Sequence, residues 1–253
     1  MNHCSNNRSM KLRLLLLSSM LVGTSIAAQA QLITTLNQGT STQFDSDISS
    51  TDLIEAGSAT LANSTYSALD AFGNPPTGVN DGAGGDSTSA PSVYLVGSSF
   101  PETFTFTLNT NAGTGGSATG YSISEIQSIA GWTDSNDASQ NFSVSYETLS
   151  SPSTWIALGS GSFDNEVTGG TDAGTQTLLT DSLGTIASNV TALQFTYVQP
   201  TNSNATILHE VDVFGTATAE VPEPSTDAMM VAGLGALLFI MARKRRKEFS
   251  HSL

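Results

Sequence analysis

The sequence lacks positive charge over almost its whole length. Three of the eight Lys and Arg residues precede position 14, five lie within 243–247, and residues 14–242 contain none. All but Glu248 of the 22 acidic residues fall in that interval. Because contacts with a phosphate backbone depend on Lys and Arg, this composition excludes nucleic-acid binding. The carboxylates of the interval must be solvated, bound to backbone N–H groups or neutralised by metal ions.

Cysteine is nearly absent as well. The single cysteine, Cys4, lies within residues 1–30, which have the pattern of a secretory signal peptide. A basic stretch is followed by a mostly apolar run from Leu12 to Ile26 and by small residues typical of a cleavage site. The mature chain is therefore expected to begin at Gln31, without disulfides or thiol chemistry. A membrane anchor is the alternative interpretation of this segment, and Met10 is a second candidate start of translation.

Motifs of nucleophilic enzymes are missing from the body of the chain, residues 31–215. The body contains no Gly-x-Ser-x-Gly nucleophile elbow, and no Lys follows the glycine-rich segment 82–85, which excludes a phosphate loop. Its one histidine, His209, follows apolar residues on a predicted strand and is expected to be structural. We therefore expect no enzymatic activity. A two-carboxylate glycoside hydrolase is the weakest alternative, since carboxylates are abundant but no motif favours it.

The C-terminal segment combines a proline-bounded break, a short apolar run and a basic end. Pro222 and Pro224 flank Glu223 and prevent a helix from running through this point. The transmembrane helix predicted over 227–242 is shorter than the roughly 20 residues that span a bilayer core. Flanking basic side chains can compensate by snorkelling, and the positive-inside rule places them on the cytoplasmic side. These basic residues are Arg243, Lys244, Arg245, Arg246 and Lys247.

This order of parts resembles the PEP-CTERM sorting signal of exported bacterial proteins. The resemblance covers Val221 to about Lys247. It implies that an exosortase-type membrane enzyme recognises Val221, Pro222, Glu223 and Pro224, cleaves nearby and releases the body to the cell surface or its exopolysaccharide matrix. An ordinary C-terminal membrane anchor is the alternative. Both ends of the chain predict the same topology, with the body outside and the basic tail inside.

The body alternates polar and apolar residues in short runs separated by glycine-rich clusters. A period of two indicates strands with one buried face. The alternating runs are 104–108, 142–146, 193–197 and 211–213, and the turn clusters are 80–86, 111–116 and 168–172. No long amphipathic helix is predicted, and 53–69 is assigned to a helical turn or loop. The pattern predicts an all-β antiparallel sandwich or jelly roll over residues 31–215, with a linker at 216–220.

Two parts of the body, 128–146 and 190–215, together resemble the discoidin-type galactose-binding β-sandwich, a fold also found in many carbohydrate-binding modules. The resemblance extends over about 68–215. Its strongest part is the closing Glu-x-Asp-Val-Phe-Gly strand, which begins at Glu210. The sequence departs from the family in lacking the Trp after the early Asp-rich loop and the Arg that often accompanies the Gln before the central strand.

The resemblance implies a structural Ca²⁺ where an early Asp-rich loop meets a Glu on the last strand. The matching positions are Asp70, Asn74, Thr77 and Glu210. Carboxylate and loop oxygens are the ligands that Ca²⁺ prefers. The alternative is that Asp70 and Asn74 only cap a turn around two prolines.

Binding of a sugar requires aromatic platforms, and the candidates are Tyr121, Trp132 and Trp155. A core role is the alternative for each, since buried Trp and Tyr are common in β-sandwiches. The absence of Lys and Arg favours a neutral glycan or a metal-bridged one. The sequence therefore predicts an exported surface or matrix protein whose body binds carbohydrate or another matrix component. A structural or adhesive matrix protein without a ligand is the alternative, and a hydrolase is the weakest.

Overall fold

The computed structural model describes residues 31–67, 76–85, 94–96, 100–133, 135–159, 162–168 and 172–218, together with Met230 and Leu234. The predicted signal peptide, the sorting residues 221–224 and the basic residues 243–247 lie outside the described residues. None of the described residues belongs to a helix long and apolar enough to cross a membrane. Met230 and Leu234 are helical, and the span predicted over 227–242 stays a prediction.

The described residues of the body form eleven strands. They are β1 (Leu32–Gly39), β2 (Leu61–Tyr66), β3 (Tyr94–Val96), β4 (Glu102–Leu108), β5 (Tyr121–Trp132), β6 (Gln140–Thr148), β7 (Ser151–Ala157), β8 (Phe163–Asn165), β9 (Ala173–Asp181), β10 (Ala187–Tyr197) and β11 (Thr206–Ala217). The described helical segments between residues 31 and 218 are short 3-10 turns. They are Asp45–Asp47, Pro76–Val79, Ala112–Thr114 and Ser135–Ala138.

The strands form two sheet regions, and every pairing is antiparallel. One runs β1–β9–β5–β11–β3, and the other runs β2–β4–β10–β6 with β7 and β8 paired to β6. Their junction is the start of β5, where Tyr121 and Ile123 lie opposite Val190 and Ala187 of β10. The antiparallel all-β sandwich predicted from the sequence is confirmed.

An aromatic core lies between the two sheet regions. Alternate residues of β4 and β10 are buried there, as the period of two in the sequence predicted. Phe142 stacks on Tyr197 with ring centroids 5.1 Å apart, and Phe104 lies 5.4 Å from Tyr197. Phe195 lies 5.9 Å from Phe106 and is fully buried. Each such side chain contributes about 1.5–3 kcal/mol by leaving water, so this cluster holds the two layers together.

Candidate functional site

A group of carboxyl side chains gathers where β11 is covered by two loops. We call it the acidic cluster: Asp52, Glu55, Asp81, Glu210 and Asp212. Glu210 and Asp212 lie on β11, Asp52 and Glu55 on the loop before β2, and Asp81 on the loop after the 3-10 turn Pro76–Val79. Segments far apart in the chain thus bring acidic groups together.

Glu210 is the most deeply placed member of the acidic cluster. Its side chain is 0% exposed, and neither carboxylate oxygen has a hydrogen-bond partner among the described residues. Burial raises the pKa of Glu210 to about 11, with further contributions from Asp212, Asp81, Asp52 and Glu55. A buried carboxylate without a partner is costly. The position of Glu210 therefore calls for a proton or a cation.

Asp52 and Asp212 are buried but partly satisfied. Asp52 Oδ1 accepts hydrogen bonds from the backbone N–H of Ile54 (2.8 Å) and of Val213 (3.2 Å), whereas Oδ2 is buried without a partner among the described residues. Asp212 accepts from Gln127 Nε2 at 2.7 Å and from the backbone N–H of Ser49 at 3.3 Å. Burial raises the pKa of Asp52 to about 6 and that of Asp212 to about 7.

The two loops that carry the other members interlock above β11. Asn80 O accepts from Ala56 N–H at 2.7 Å, and the Asn80 side chain donates to the carbonyl of Ile54 and accepts from Tyr66 Oη at 3.1 Å. Gly82 has φ +71°, and a Cβ there would lie 2.9 Å from Glu55 Oε2. A glycine is therefore needed at this close approach.

Glu55 and Asp81 are more exposed than the other members of the cluster. Burial, followed by the charges of Asp52 and Asp81, raises the pKa of Glu55 to about 7. Burial also raises the pKa of Asp81, although a hydrogen bond from Ala83 N–H opposes the shift. All five carboxyls therefore have pKa values above their ordinary range, chiefly because burial disfavours their charged forms, and neighbouring carboxylates add to the shift at Glu55, Glu210 and Asp212.

Within the described residues, no Lys or Arg compensates this charge, since residues 14–242 contain neither. His209 is fully buried beside the cluster, but its Nδ1 lies 2.7 Å from Asp45 Oδ1 and its Nε2 lies 2.8 Å from the carbonyl of Gly131. Both ring nitrogens are thus engaged elsewhere.

The carboxylate oxygens of the acidic cluster are of the type that a hard cation such as Ca²⁺ prefers, and such an ion takes six to eight oxygen ligands from carboxylates and carbonyls. Within the described part of the chain, no three His, Cys, Asp or Glu side chains converge closely enough to form a complete site on their own. Backbone carbonyls of the two loops would have to complete the coordination.

Of the predicted calcium ligands, Glu210 lies at the centre of the acidic cluster. Asp70 and Asn74 lie outside the described residues, as does the side chain of Thr77. Sequence reasoning missed Asp52, Glu55, Asp81 and Asp212. Two signals pointed to part of this set: an Asn-Asp-Gly turn at 80–82, and the presence of two acids on one apolar strand at Glu210 and Asp212.

The three predicted aromatic platforms differ in exposure. Tyr121 is 2% exposed, and its hydroxyl donates to the carbonyl of Asn109 at 2.9 Å, so its ring belongs to the core and offers no face to a ligand. Trp132 ends β5 and is half-buried. Trp155 is 38% exposed on β7, and the next residue, Ile156, is 37% exposed.

Trp155 lies within an uncharged stretch of the surface. Residues 148–163 contain no Asp, Glu, Lys, Arg or His. Every residue of 152–157 is exposed, and the stretch includes Leu149, 50% exposed in the turn before β7. We call residues 148–157 the neutral strip. It combines hydroxyl side chains with one aromatic ring in an otherwise acidic body.

Comparison with known protein families decides the nature of the C-terminal segment. Residues 220–246 match the family model of the PEP-CTERM protein-sorting motif. The chain carries a PEP-CTERM sorting tail. This confirms the resemblance seen in the sequence and identifies an exported protein that is sorted through its C-terminus. No curated protein matches the chain.

Several solved structures are similar to the body. A fucose-binding module from Streptococcus pneumoniae is 14% identical, covers 67% of this chain and 99% of its own, and gives a TM-score of 0.40. A protein from Clostridium perfringens, solved in complex with GalNAc-β-1,3-galactose, is 9% identical over 60% of this chain and 94% of its own, with a TM-score of 0.37. A pectin-binding carbohydrate-binding module is 12% identical over 65% and 96%, with a TM-score of 0.35.

Proposed function

We propose that this PEP-CTERM protein is a component of the bacterial cell surface or its exopolysaccharide matrix, and that its β-sandwich binds a neutral carbohydrate at the neutral strip. The observation that carries the proposal is the exposed ring of Trp155 on an uncharged strand. An exposed large aromatic ring with a polar surround is suited to contact the apolar face of a sugar.

The surroundings of Trp155 supply the polar half of such a contact. Ser153 and Thr154 precede it on β7, and both are exposed. Their hydroxyls can donate to and accept from sugar hydroxyls. Acidic sugars are disfavoured, because the body carries many carboxylates and no Lys or Arg to pair with a sugar carboxylate.

A glycan array probed with residues 31–218 tests this proposal. The array is run with Ca²⁺ and with a chelator. We expect binding to neutral glycans that Trp155→Ala abolishes and Trp155→Phe partly retains. Leu183→Ala is the matched control, since it shortens an apolar side chain that is 62% exposed and lies outside the neutral strip. Binding to no glycan, by a protein that is folded, would contradict the proposal.

We further propose that Ca²⁺ occupies the acidic cluster as a structural ion. Glu210, Asp52 and Glu55 are the residues best placed to hold it, because each has at least one buried carboxylate oxygen without a hydrogen-bond partner among the described residues. The ion would neutralise the cluster and fix the two loops against β11. No catalytic role follows from this placement.

Processing of the tail is the third element of the proposed function. Cleavage near Glu223 by an exosortase-type enzyme would remove the basic end and release an acidic body. Mass spectrometry of the protein from the cell surface tests this step. We expect a mature form that lacks residues 243–247, and a surface form that retains them would favour an ordinary membrane anchor. A matrix protein without a sugar ligand is the alternative function, favoured if the glycan array is silent while sorting occurs.

A further inference from the structure

The free edges of the two sheet regions are not equally protected. Natural sheets blunt an edge strand by making it short, bulged or charged, or by placing proline in it. Among the described edges, β3 and β8 have three residues each, β2 has a register shift against β4, and β7 contains Pro152 and a register shift against β6. Each of these strands carries at least one protective feature.

β1 carries none of them. It is eight residues long and pairs with β9 in unbroken register from Leu32 opposite Asp181 to Gly39 opposite Gly174. It contains no proline and no charged residue. Within the described part of the chain, β9 is the strand that pairs with it, and its second edge is unpaired.

The side chains of β1 are also unusually open. Ile33 is 43% exposed and Leu36 is 47% exposed. The opposite sheet region contacts the end of β1, where Gln38 Nε2 donates to Asn165 Oδ1 at 3.2 Å and to the carbonyl of Glu166 at 2.8 Å. Along the first part of the strand, a groove of about 460 Å³ separates β1 from the segment that follows β7. The groove is lined by Leu32, Thr34, Leu36, Gly159, Ser162, Phe163 and Asp164. The strand thus offers backbone groups along one edge and apolar side chains on both faces.

The charge of the chain indicates which occupant suits this edge. Residues 31–44 carry no charge, as do residues 103–124, 148–163 and 182–208, whereas the body as a whole is rich in carboxylates and has no Lys or Arg. Two copies that approached through other acidic faces would place like charges together, at a cost in binding free energy. An uncharged, self-complementary strand avoids this repulsion, and a second copy presents the same strand.

We propose that β1 pairs antiparallel with β1 of a second copy across a twofold axis, joining two β9–β1 sheets into one. The backbone groups of the edge provide the hydrogen bonds, and Ile33 and Leu36 of both copies bury their exposed apolar surface. One such edge in each copy closes the assembly at a dimer. Because a single strand pair gives a small interface, the dimer is weak and forms where the protein is concentrated, as on a cell surface or in a matrix.

Sedimentation velocity of residues 31–218 in a chelator tests the proposal. This segment is suitable because it contains all eleven strands and all described core residues. We expect a monomer–dimer equilibrium that shifts toward dimer with protein concentration and with NaCl, which screens the acidic bodies from each other. A monomer at all concentrations, or association that requires Ca²⁺, would overturn the proposal, since the latter indicates carboxylates bridged by ions.

A pair of substitutions locates the interface. The double variant Ile33→Glu/Leu36→Glu places like charges on the paired strands and should abolish the dimer. Leu149→Glu is the matched control, because Leu149 is equally exposed, at 50%, but lies in the turn before β7. Loss of dimer in the control with retention in the double variant would place the interface on the neutral strip instead.

Hydrogen exchange on the unmodified protein tests whether β1 forms the dimer interface, even if the double variant fails to fold. Backbone amides of β1 that face away from β9 should exchange more slowly as the protein concentration rises into the dimer range. Amides of β7 serve as the internal control and should be unchanged. A dimer without slower exchange in β1 would overturn the proposal. Neither experiment involves a glycan, so the result is independent of the proposed sugar binding.

Discussion

The two faces of β11 bury opposite kinds of side chain. Val211 and Val213 belong to the core between the sheet regions and are 0% exposed. Glu210 and Asp212, which alternate with them, are also 0% exposed but belong to the acidic cluster. Successive side chains of a strand point to opposite sides, so one strand serves both environments.

This comparison separates two ways of burying a strand. The apolar face is stable by itself, because its contacts remove apolar surface from water. The acidic face has pKa values raised on every carboxyl and orphaned oxygens on Glu210 and Asp52, so it needs protons or a cation. The stability contributed by the apolar face should therefore fall when side-chain volume is removed. The stability contributed by the acidic face should change with pH and with Ca²⁺.

The largest expected effect is on the apolar side. Phe195→Ala removes a fully buried ring that contacts Phe106 and Phe142. Such truncations cost about 3–5 kcal/mol of unfolding free energy. Urea denaturation with and without Ca²⁺ should give the same loss, since no carboxyl is involved. Leu183→Ala is the control, because Leu183 is 62% exposed and should change stability little. A loss that depended on Ca²⁺ would mean that the two sides of β11 are not separate.

The second effect is on the acidic side and concerns Glu210→Gln. At neutral pH and without a cation, a pKa of about 11 keeps folded Glu210 protonated, whereas the carboxyl ionises in the unfolded chain. The isosteric amide removes the cost of taking up this proton on folding, so Glu210→Gln should raise stability in chelator. With Ca²⁺ at about 100 times its Kd, the unsubstituted protein should gain about 2.7 kcal/mol and the variant much less. Thermal melts and calorimetric titration with Ca²⁺ measure both quantities.

The control for this substitution is Asp137→Asn, which changes a carboxyl that accepts from Ser203 Oγ at 2.7 Å outside the acidic cluster. It should keep the full response to Ca²⁺. If Ca²⁺ stabilises neither the unsubstituted protein nor Asp137→Asn, the proposal that Ca²⁺ binds the acidic cluster is wrong. Equal stabilisation of Glu210→Gln and the unsubstituted protein would place the ion elsewhere.

The same contrast explains what the sequence could predict. The apolar face follows a period of two, so runs such as 104–108 and 193–197 identified β4 and β10 without any tertiary information. β7 was not predicted, because its side chains are exposed on both faces and show no alternation. The sandwich architecture followed from several such runs together with glycine-rich turns.

The acidic cluster could not be predicted as a set. Its members come from 52–55, 81 and 210–212, and local patterns do not relate segments so far apart in the chain. Asp81 has the local signature of a solvated turn, since it precedes Gly82 in a glycine-rich loop. The resemblance to galactose-binding sandwiches singled out Glu210 as a candidate ligand, and the absence of Lys and Arg made a cation the natural partner.

The third prediction is a stability that falls with pH when no cation is present. The pKa values of Asp52, Asp212 and Glu55 lie at about 6, 7 and 7, above their ordinary values of 3.8, 3.8 and 4.5. Between the ordinary and the raised values, the folded state binds more protons than the unfolded state, so the free energy of unfolding decreases as pH rises. Asp81 adds to this trend, and Glu210 adds to it over the whole range, because the folded state keeps this proton while the unfolded chain loses it.

The slope is at most about 1.4 kcal/mol per pH unit for each proton, and less for the partly exposed Glu55. Melts in chelator from pH 5 to pH 8 should show a decreasing melting temperature. With saturating Ca²⁺ the decrease should be reduced or reversed, because ionised carboxylates bind the ion. Identical pH profiles with and without Ca²⁺ would contradict the assignment of the ion to the acidic cluster.

The smallest effect tests the loops that cover the acidic face. Gly82 has φ +71°, and a Cβ there would lie 2.9 Å from Glu55 Oε2 and from Ser50 Cα. Gly184 has φ +79°, but a Cβ there would meet nothing within 4 Å. Gly184→Ala should therefore show backbone strain alone, about 1–2 kcal/mol, whereas Gly82→Ala adds crowding against the backbone of the neighbouring loop. The difference in the free energy of unfolding between the two variants measures that crowding.

Gly82→Ala should also weaken Ca²⁺ binding, because the added Cβ pushes apart the loops that hold Asp81 and Glu55. Gly184→Ala should leave Ca²⁺ binding intact. Equal Ca²⁺ affinities in the two variants would mean that the loops do not shape the ion site.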